Sequence, residues 1–290
     1  MNIKQQYLLT DKDPAPIAIT KGQSHILFTG PHNGHAVPRQ FSPCMGTDPN
    51  WFATAHEAVD LYIAPLFDLL RHDMPDANFI EGIYSRLVCD LNAMPDYAIT
   101  LFSPEKRDLT IPENQPDMCC AQKRLKRLDE IYWPYHEGKE KLINTIRAAH
   151  NDKIIALDLH SFTPTWEQKK RDVEIGTIRA EKTPFSRALE DYLKQQDRYH
   201  FVSGEPYKVA NRPSNAAPSI SEKNDLQYLG LEIRSDLIDN DDKRKEMANF
   251  IQNCLDHLMS HSDLSEITKR RSATQLSSAP LQMNDFNWSI

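Results

Sequence analysis

The sequence predicts a single α/β domain built around a mainly parallel β-sheet. Short runs rich in Ile, Val, Leu and Phe have the length and composition of strands buried on both faces. Patterns with helical periodicity separate these runs, and this alternation is typical of a parallel sheet. The predicted strands span residues 25–29, 78–84, 153–159, 199–203 and 228–233. The predicted helices span residues 50–72, 121–131, 138–149, 183–195 and 243–261.

The helix predicted over residues 50–72 has recognisable start signals. Asp48 suits the N-cap, and Pro49 suits the first helical position. Pro65 lies inside the pattern and is expected to kink or shorten the helix. The apolar stripe, at spacings of three to four residues, consists of Ala55, Val59, Ile63, Leu66 and Leu70.

Composition excludes several classes of protein. The 290-residue chain carries 34 Lys and Arg against 41 Asp and Glu, a formal net charge of −7. A mildly acidic surface argues against nucleic acid as the main partner, because phosphate binding needs a basic face. No stretch approaches the roughly 20 apolar residues that span a bilayer, and the first residues lack a signal-peptide pattern. The five cysteines include no CxxC pair, which favours reduced thiols and a cytoplasmic protein.

The chain divides into one long domain and a tail. Residues 1–261 are predicted to form a single catalytic domain, and residues 262–290 a polar C-terminal tail or arm. Phe286, Trp288 and Ile290 are apolar for a free tail. Two interpretations stay open: these side chains dock on their own domain, or they contact a neighbouring subunit in a homo-oligomer.

Polar side chains follow several of the predicted strands. His32 lies in the turn after the first strand, Arg86 follows the second, His160 ends the third, and Glu232 and Arg234 lie near the end of the last. In open α/β sheets, ligands bind at the carboxyl ends of the strands. These separate parts of the chain therefore predict one convergent site.

The two-residue period of a strand adds detail to this site. Asp158 and His160 face the same side, so the carboxylate can orient the imidazole ring. Glu232 and Arg234 share a face in the same way, and a buried charge in an apolar strand needs a partner or a function. A structural interpretation stays open for each residue, such as an ion pair of Glu232 with Arg86 or Arg234. The residues alone indicate an α/β enzyme with a metal site as one alternative.

Six segments together resemble the N-formylglutamate amidohydrolase family, and they occur in the family's order from Gly30 to Ile238. They are GPHNGHAVP (30–38), YSRLVCDLN (84–92), YWPYH (132–136), DLHSFTP (158–164), RDVEIG (171–176) and LGLEIRSDLI (229–238). The family is similar in fold to zinc carboxypeptidases and aspartoacylase. The resemblance implies a twisted mixed sheet, mainly parallel, flanked by helices on both faces.

The resemblance also implies one zinc ion, or another divalent metal, with His32 and His160 as ligands. The third ligand should be an acidic residue between them in the chain, and Glu57 is the first choice. Two histidines and a carboxylate leave a fourth position for water, as catalytic zinc requires. The alternatives for the third ligand are Asp60, His56 and Asp48.

Catalytic and substrate-binding roles follow from the same resemblance. Glu232 is expected to be the general base that takes a proton from the attacking water and passes it to the leaving amine. Arg171 is a candidate for stabilising the oxyanion. The residues predicted to bind substrate are Arg86, Asn92, Arg234 and Tyr207. The family usually carries arginine after this asparagine, where this chain has Ala93, so Arg86, Arg171 or Arg234 compensates or the substrate differs.

The resulting functional prediction is a metal-dependent amidohydrolase acting on a small N-formyl or N-acyl amino acid such as N-formyl-L-glutamate. One alternative is a deacylase or carboxypeptidase that cleaves another small acyl or peptidyl amide. An alternative from another class is a non-catalytic metal-binding protein that keeps the fold. Ala93 favours this last reading, whereas Glu232 opposes it, because a metal-binding module has no need of a general base.

Overall fold

A computed structural model describes residues 13–38, 60–99, 121–150, 154–179, 182–207 and 226–261. Seven strands of the described chain form one sheet, and two more form a small hairpin, β5–β6. The strands are β1 Ile17–Thr20, β2 Ile26–Gly30, β3 Asn78–Gly82, β4 Ile155–Phe162, β5 Thr165–Trp166, β6 Lys169–Lys170, β7 Ile175–Ile178, β8 Phe201–Val202 and β9 Gln227–Arg234.

The sheet is mixed and mainly parallel, which confirms the predicted fold class. Its strand order is β1-β3-β2-β4-β9-β7-β8. The four central strands β3, β2, β4 and β9 run parallel to one another. Strand β1 pairs antiparallel with β3, and β7 pairs antiparallel with β9. The carboxyl ends of the four central strands therefore lie at one edge of the sheet.

Helices cover both faces of the sheet. They are α1 Ile63–Asp73, α2 Ala121–Arg127, α3 Trp133–Ala149, α4 Pro184–Lys194 and α5 Asp241–His261. One apolar core joins α1, α4 and α5 to Leu157, Leu159 and Leu229 of the sheet. A second core joins α3 to Leu27 and Ala156 on the opposite face. Because Leu157 and Ala156 alternate between these cores, Asp158 and His160 fall on the face covered by α3.

The helix predicted over residues 50–72, with a kink or shortening at Pro65, is wrong at residues 60–62, which are not helical. Tyr62 has φ 66°, a left-handed conformation that no helix continues through, and α1 begins at Ile63. Pro65 then lies in the first turn, where its missing N–H costs no hydrogen bond. The predicted N-cap at Asp48 and the residues before Asp60 lie outside the described part of the chain.

The two helices predicted over residues 121–131 and 138–149 are parts of one continuous helical rod. A π-helical segment, Leu128–Tyr132, joins α2 to α3, and Pro134 lies in the first turn of α3. Inside this rod the Tyr132 hydroxyl donates to the carbonyl of Ala93 at 2.9 Å, and Arg127 donates to the carbonyl of Val88 at 3.1 Å. The rod therefore supports the loop that follows β3.

Gly176 of β7 is required by the close approach of another backbone segment. A Cβ added there would lie 1.7 Å from the carbonyl oxygen of Glu205. We expect Gly176→Ala to lower the free energy of unfolding by about 1–3 kcal/mol, since backbone must move to admit the methyl group. Denaturant unfolding would measure this.

The matched control is Gly138→Ala in α3, where the new methyl group meets only side-chain tips, the nearest at 3.0 Å from the Ile19 Cδ1 atom. Alanine is also the better helix former, by about 1 kcal/mol. A Gly176→Ala midpoint equal to that of the native protein would contradict the backbone contact.

No described helix has the length and apolarity that crossing a bilayer requires. Of the described cysteines, Cys89 and Cys254 are free and buried. The tail predicted over residues 262–290 lies outside the described residues, so the division at residue 261 stays a prediction.

Candidate metal centre and active site

The turn after β2 brings His32 to the carboxyl edge of the sheet. His32 is buried, and the next residue, Asn33, donates to the carboxylate of Glu81 at 3.1 Å. Gly34 packs directly on the backbone of the segment after β3, because a Cβ there would lie 2.1 Å from the backbone of Ile83. This close packing fixes the turn and with it the position of the His32 ring.

Three side chains from separate parts of the chain meet at this edge. His32, Asp60 and His160 each offer one ligand atom, and these atoms all lie within 4.8 Å of one another. The His160 Nδ1 atom is 2.7 Å from Asp60 Oδ2, and the His32 Nδ1 atom is 3.5 Å from Asp60 Oδ1. All three side chains are buried. The structure thus brings together His32 and His160, as predicted, with Asp60, one of the three alternatives named for the third ligand.

The outer nitrogen of each histidine meets a second buried carboxylate. His32 Nε2 is 2.7 Å from Asp90 Oδ1, and His160 Nε2 is 3.1 Å from Asp158 Oδ2. Ionised carboxylates only accept hydrogen bonds, so both Nε2 atoms carry the donated hydrogen. Both Nδ1 atoms face Asp60, and release of a hydrogen from Nδ1 would leave a lone pair there for a metal ion. This is the arrangement in which carboxylates orient histidine ligands around a metal ion.

The donor set fits a divalent cation. His32 Nδ1 is buried and forms no hydrogen bond within the described chain, and two imidazole nitrogens and one carboxylate converge on one small volume. A divalent cation there would take all three groups as ligands. Nitrogen and oxygen donors of this kind suit zinc and related divalent metals.

Local charges keep the carboxylates ionised. Burial by itself would raise the pKa of Asp60, but His32 and His160 outweigh it and hold that pKa well below its usual range. The same opposition acts on Asp90, whose pKa is lowered by Arg86 and His32 despite burial. Burial would lower the pKa of His160, yet Asp158 and Asp60 raise it well above its usual value. The site thus attracts positive charge.

Asp158 is itself held by hydroxyl groups. Thr29 donates to its Oδ1 atom at 2.6 Å and Tyr228 donates to its Oδ2 atom at 3.0 Å. We expect Asp158→Asn to weaken metal affinity by about 10- to 100-fold, because the neutral amide no longer fixes the His160 ring. Competition with a chelator would measure the affinity. The exposed Asp191→Asn serves as control, and equal affinities in the two variants would contradict the orienting role.

Arg86 and Asn92, predicted to bind substrate, lie on the loop after β3 beside the metal centre. Arg86 donates to Asp90 Oδ2 through Nη2 at 2.7 Å and Nε at 3.1 Å, and its Nη1 atom is 3.7 Å from Asp60 Oδ1. The Asn92 side-chain nitrogen is 3.4 Å from His160 Nε2. Both side chains therefore border the histidine and aspartate group, whereas their contact with substrate stays a prediction.

Glu232 lies beside His160 on the neighbouring strand. The two residues are register partners in the β4–β9 pair, so their side chains project from the same face about 4.8 Å apart at the backbone. Glu232 is 3% exposed. Glu232 is thus a buried carboxylate beside the histidine and aspartate group but outside it, and its role as general base stays a prediction.

Arg234 is the last residue of β9, and Arg171 lies in the loop between β6 and β7. Arg234 donates to Asp236 at 2.7 Å and to the carbonyl of Arg171 at 3.0 Å, and its Nη2 atom is 3.1 Å from a Glu174 carboxylate oxygen. Its guanidinium is therefore engaged with the 171–174 loop. Arg171 lies 5.5 Å from the ring of Tyr207, the fourth residue predicted to bind substrate.

Glu57, the first choice for the third ligand, lies outside the described residues.

Sequence reasoning gave no role to Asp90, although it lies inside the SRLVCDLN segment. The available signal was its spacing of four residues from Arg86, which suits an ion pair. The pairing of His32 with Asp90 spans 58 residues, and no local pattern predicts it.

A comparison with models of protein families shows to which family the chain belongs. The model of the N-formylglutamate amidohydrolase family matches residues 24–239, most of the chain. The chain belongs to the N-formylglutamate amidohydrolase family. The matched range holds every side chain of the site described above, so this member of an amidohydrolase family carries a buried group that can hold a metal ion.

Solved structures share the fold of this family member. A gene product of Agrobacterium tumefaciens is 22% identical, with a TM-score of 0.73, over 85% of this chain and 96% of that one. The N-formylglutamate amidohydrolase of Ralstonia eutropha is 14% identical, with a TM-score of 0.56, over 83% of this chain and 99% of that one. A search of curated proteins found no match.

Proposed function

We propose that the protein hydrolyses the amide bond of an N-formyl or N-acyl amino acid such as N-formyl-L-glutamate, with one zinc or related divalent ion. The single observation that carries the proposal is the convergence of His32, Asp60 and His160 within 4.8 Å, beside the buried Glu232. Family membership supports the reaction class, and the name of the Ralstonia eutropha relative supports the substrate.

The ligands of the ion would be His32 Nδ1, His160 Nδ1 and the Asp60 carboxylate. A divalent ion held there supplies a Lewis acid, which polarises an amide carbonyl and makes water a stronger nucleophile near neutral pH. Asp90 and Asp158 keep both rings in the orientation that presents Nδ1. The two-histidine, one-carboxylate donor set supports zinc as the native metal.

Glu232 moves the proton. Its carboxylate takes a proton from the attacking water and later delivers it to the nitrogen of the leaving amine, so that amide and water become a carboxylic acid and a free amine. The Asn92 amide, 3.4 Å from His160 Nε2, would donate a hydrogen bond to the substrate. The position of Glu232, buried beside His160, supports this role.

The test is an activity assay on protein stripped of metal and reloaded. We expect reloaded protein to release formate and glutamate from N-formyl-L-glutamate and the stripped protein to release neither. Turnover of longer acyl or peptidyl amides, with N-formyl-L-glutamate inert, would instead establish the deacylase or carboxypeptidase alternative. Metal binding without turnover of any amide in the panel would establish a non-catalytic protein.

A further inference from the structure

We propose that His25, His150 and Met259 form a second metal site, which binds copper(I). The three residues lie at the amino edge of the sheet, opposite the carboxyl edge that holds the candidate active site. Strand β4 separates the two edges by roughly 16 Å between Ile155 and His160, at about 3.3 Å per residue. The inference is independent of the proposed function, because neither this metal nor its ligands take part in amide hydrolysis.

Three elements bring the ligands together. His25 directly precedes β2, and its carbonyl accepts from the N–H of Ile155, the first residue of β4, at 3.1 Å. His150 is the C-cap of α3, the helix that leads into β4. Met259 lies in the last turn of α5, and its contact with His25 spans 234 residues. The group therefore joins the start of the sheet to the ends of two helices that cover its opposite faces.

The spacing of His25 and Met259 suits one ion between them. The His25 Nε2 atom lies 3.3 Å from the Met259 Sδ atom. Bonds of about 2.0 Å to nitrogen and about 2.3 Å to sulfur, at the angles of a three- or four-coordinate ion, place such atoms roughly 3.5 to 3.7 Å apart. Both side chains are half-buried. Because methionine has three rotatable bonds and no branch, its sulfur can move the few tenths of an ångström that the ion requires.

His150 brings a second imidazole to the group. The centre of its ring lies 5.9 Å from the centre of the His25 ring, with 66° between the ring planes. The two histidines of the candidate active site, His32 and His160, lie 5.1 Å apart at the same angle of 66°. Two imidazoles bound to one ion by bonds of about 2.0 Å have ring centres roughly 5 to 6 Å apart. The spacing of His25 and His150 is therefore one at which two rings can share an ion.

The thioether of Met259 favours copper(I) over a divalent ion. Thioether sulfur is a soft ligand that selects copper(I), and imidazole also suits copper. Among the described residues, one group of three His, Cys, Asp or Glu side chains is close enough to hold an ion, and it is the group of the candidate active site. No described carboxylate or thiolate thus joins His25 and His150 in a ligand set. Uncharged ligands leave the second charge of a divalent ion without compensation, whereas a monovalent ion needs less.

A bound ion would cross-link the sheet to the ends of α3 and α5. A ligand that binds the folded protein and not the unfolded chain stabilises the folded state. We therefore expect copper(I) to raise the midpoint of thermal unfolding by a few degrees when the catalytic site already holds zinc. No change of oxidation state is part of this role, because the ion acts as a structural link.

The experiment titrates copper(I) without oxygen into zinc-loaded protein, with bicinchoninate as a coloured competing chelator. Accessible thiols are first blocked with iodoacetamide, because thiolates also bind copper(I). The two cysteines of the described chain, Cys89 and Cys254, are buried. We expect native protein to take up one equivalent of copper(I) and to keep its zinc.

Three variants each remove one proposed ligand: His25→Gln, His150→Gln and Met259→Leu. Even a side chain that only orients a ligand contributes about 10- to 100-fold to metal affinity, so each variant should weaken copper(I) binding by at least about 10-fold. His257→Gln is the matched control, because it changes a histidine of the same helix that instead stacks on Tyr192 at 4.1 Å. This control should bind copper(I) as native protein does. All four variants should keep native zinc content and native amide hydrolysis.

X-ray absorption at the copper edge identifies the bound atoms directly and does not depend on how much of a variant folds. Native protein should show nitrogen and sulfur neighbours, and Met259→Leu should show nitrogen alone. Equal copper(I) affinity of native protein and Met259→Leu would overturn the inference, and so would an unchanged sulfur signal in that variant. Uptake of a second zinc ion that His25→Gln abolishes would overturn the assignment of copper(I).

Discussion

Replacing Glu232 with glutamine is expected to lower kcat by at least about 100-fold and to leave the metal content unchanged. Glutamine has nearly the same shape but cannot accept a proton near neutral pH. The three proposed ligands, His32, Asp60 and His160, do not include Glu232. The measurement is kcat on N-formyl-L-glutamate together with metal per protein by elemental analysis.

A second buried glutamate provides the control for this variant. Glu190 on α4 is 1% exposed and accepts from Arg179 at 2.7 Å and from Thr177 at 2.7 Å, away from the ligand group. Glu190→Gln should lower stability, because it weakens this network, and keep kcat per folded molecule. Native turnover in Glu232→Gln would remove the proposed mechanism, and loss of metal in that variant would make Glu232 a ligand.

The sequence predicted the central strands because each is a continuous apolar run. Strands β1 and β7 were missed for a physical reason. The first is a four-residue edge strand that is only partly buried, and the second contains Gly176, which weakens any strand pattern. Both owe their place to antiparallel pairing with β3 and β9. Such pairing depends on partners far away in the chain rather than on local composition.

In the site, too, local contacts could be predicted from the sequence and long-range contacts could not. His160 and Asp158 could be paired from the two-residue period alone, and the structure confirms their contact at 3.1 Å. The contact of His160 with Asp60 spans 100 residues. This contact depends on the turn at Tyr62, directly before α1. The sequence did not reveal this turn, because the segment has the periodicity of a helix. Long-range contacts of this kind follow from strand order, which no spacing in the sequence encodes.

The choice between Asp60 and Glu57 as third ligand leads to the other prediction with a large effect. We expect Asp60→Asn to abolish stoichiometric metal binding, because an amide oxygen is a much weaker ligand than a carboxylate and the two Nδ1 atoms alone hold the ion poorly. Glu57→Gln should keep the metal. Metal per protein after dialysis against a weak chelator measures the difference.

The stabilisation of the protein by zinc, measured by thermal or denaturant unfolding, tests Asp60 as the third ligand independently of dialysis. Zinc at about 100 times its dissociation constant should stabilise native protein by roughly 2.7 kcal/mol and should leave Asp60→Asn nearly unchanged. Asp68→Asn, which changes an exposed carboxylate on α1 with 74% side-chain exposure, controls for the loss of one negative charge. If Glu57→Gln loses the metal while Asp60→Asn retains it, the ligand is Glu57, and Asp60 instead orients His160 through its 2.7 Å contact. Because both outcomes leave His32 and His160 as ligands, His160→Ala should lose metal in either case.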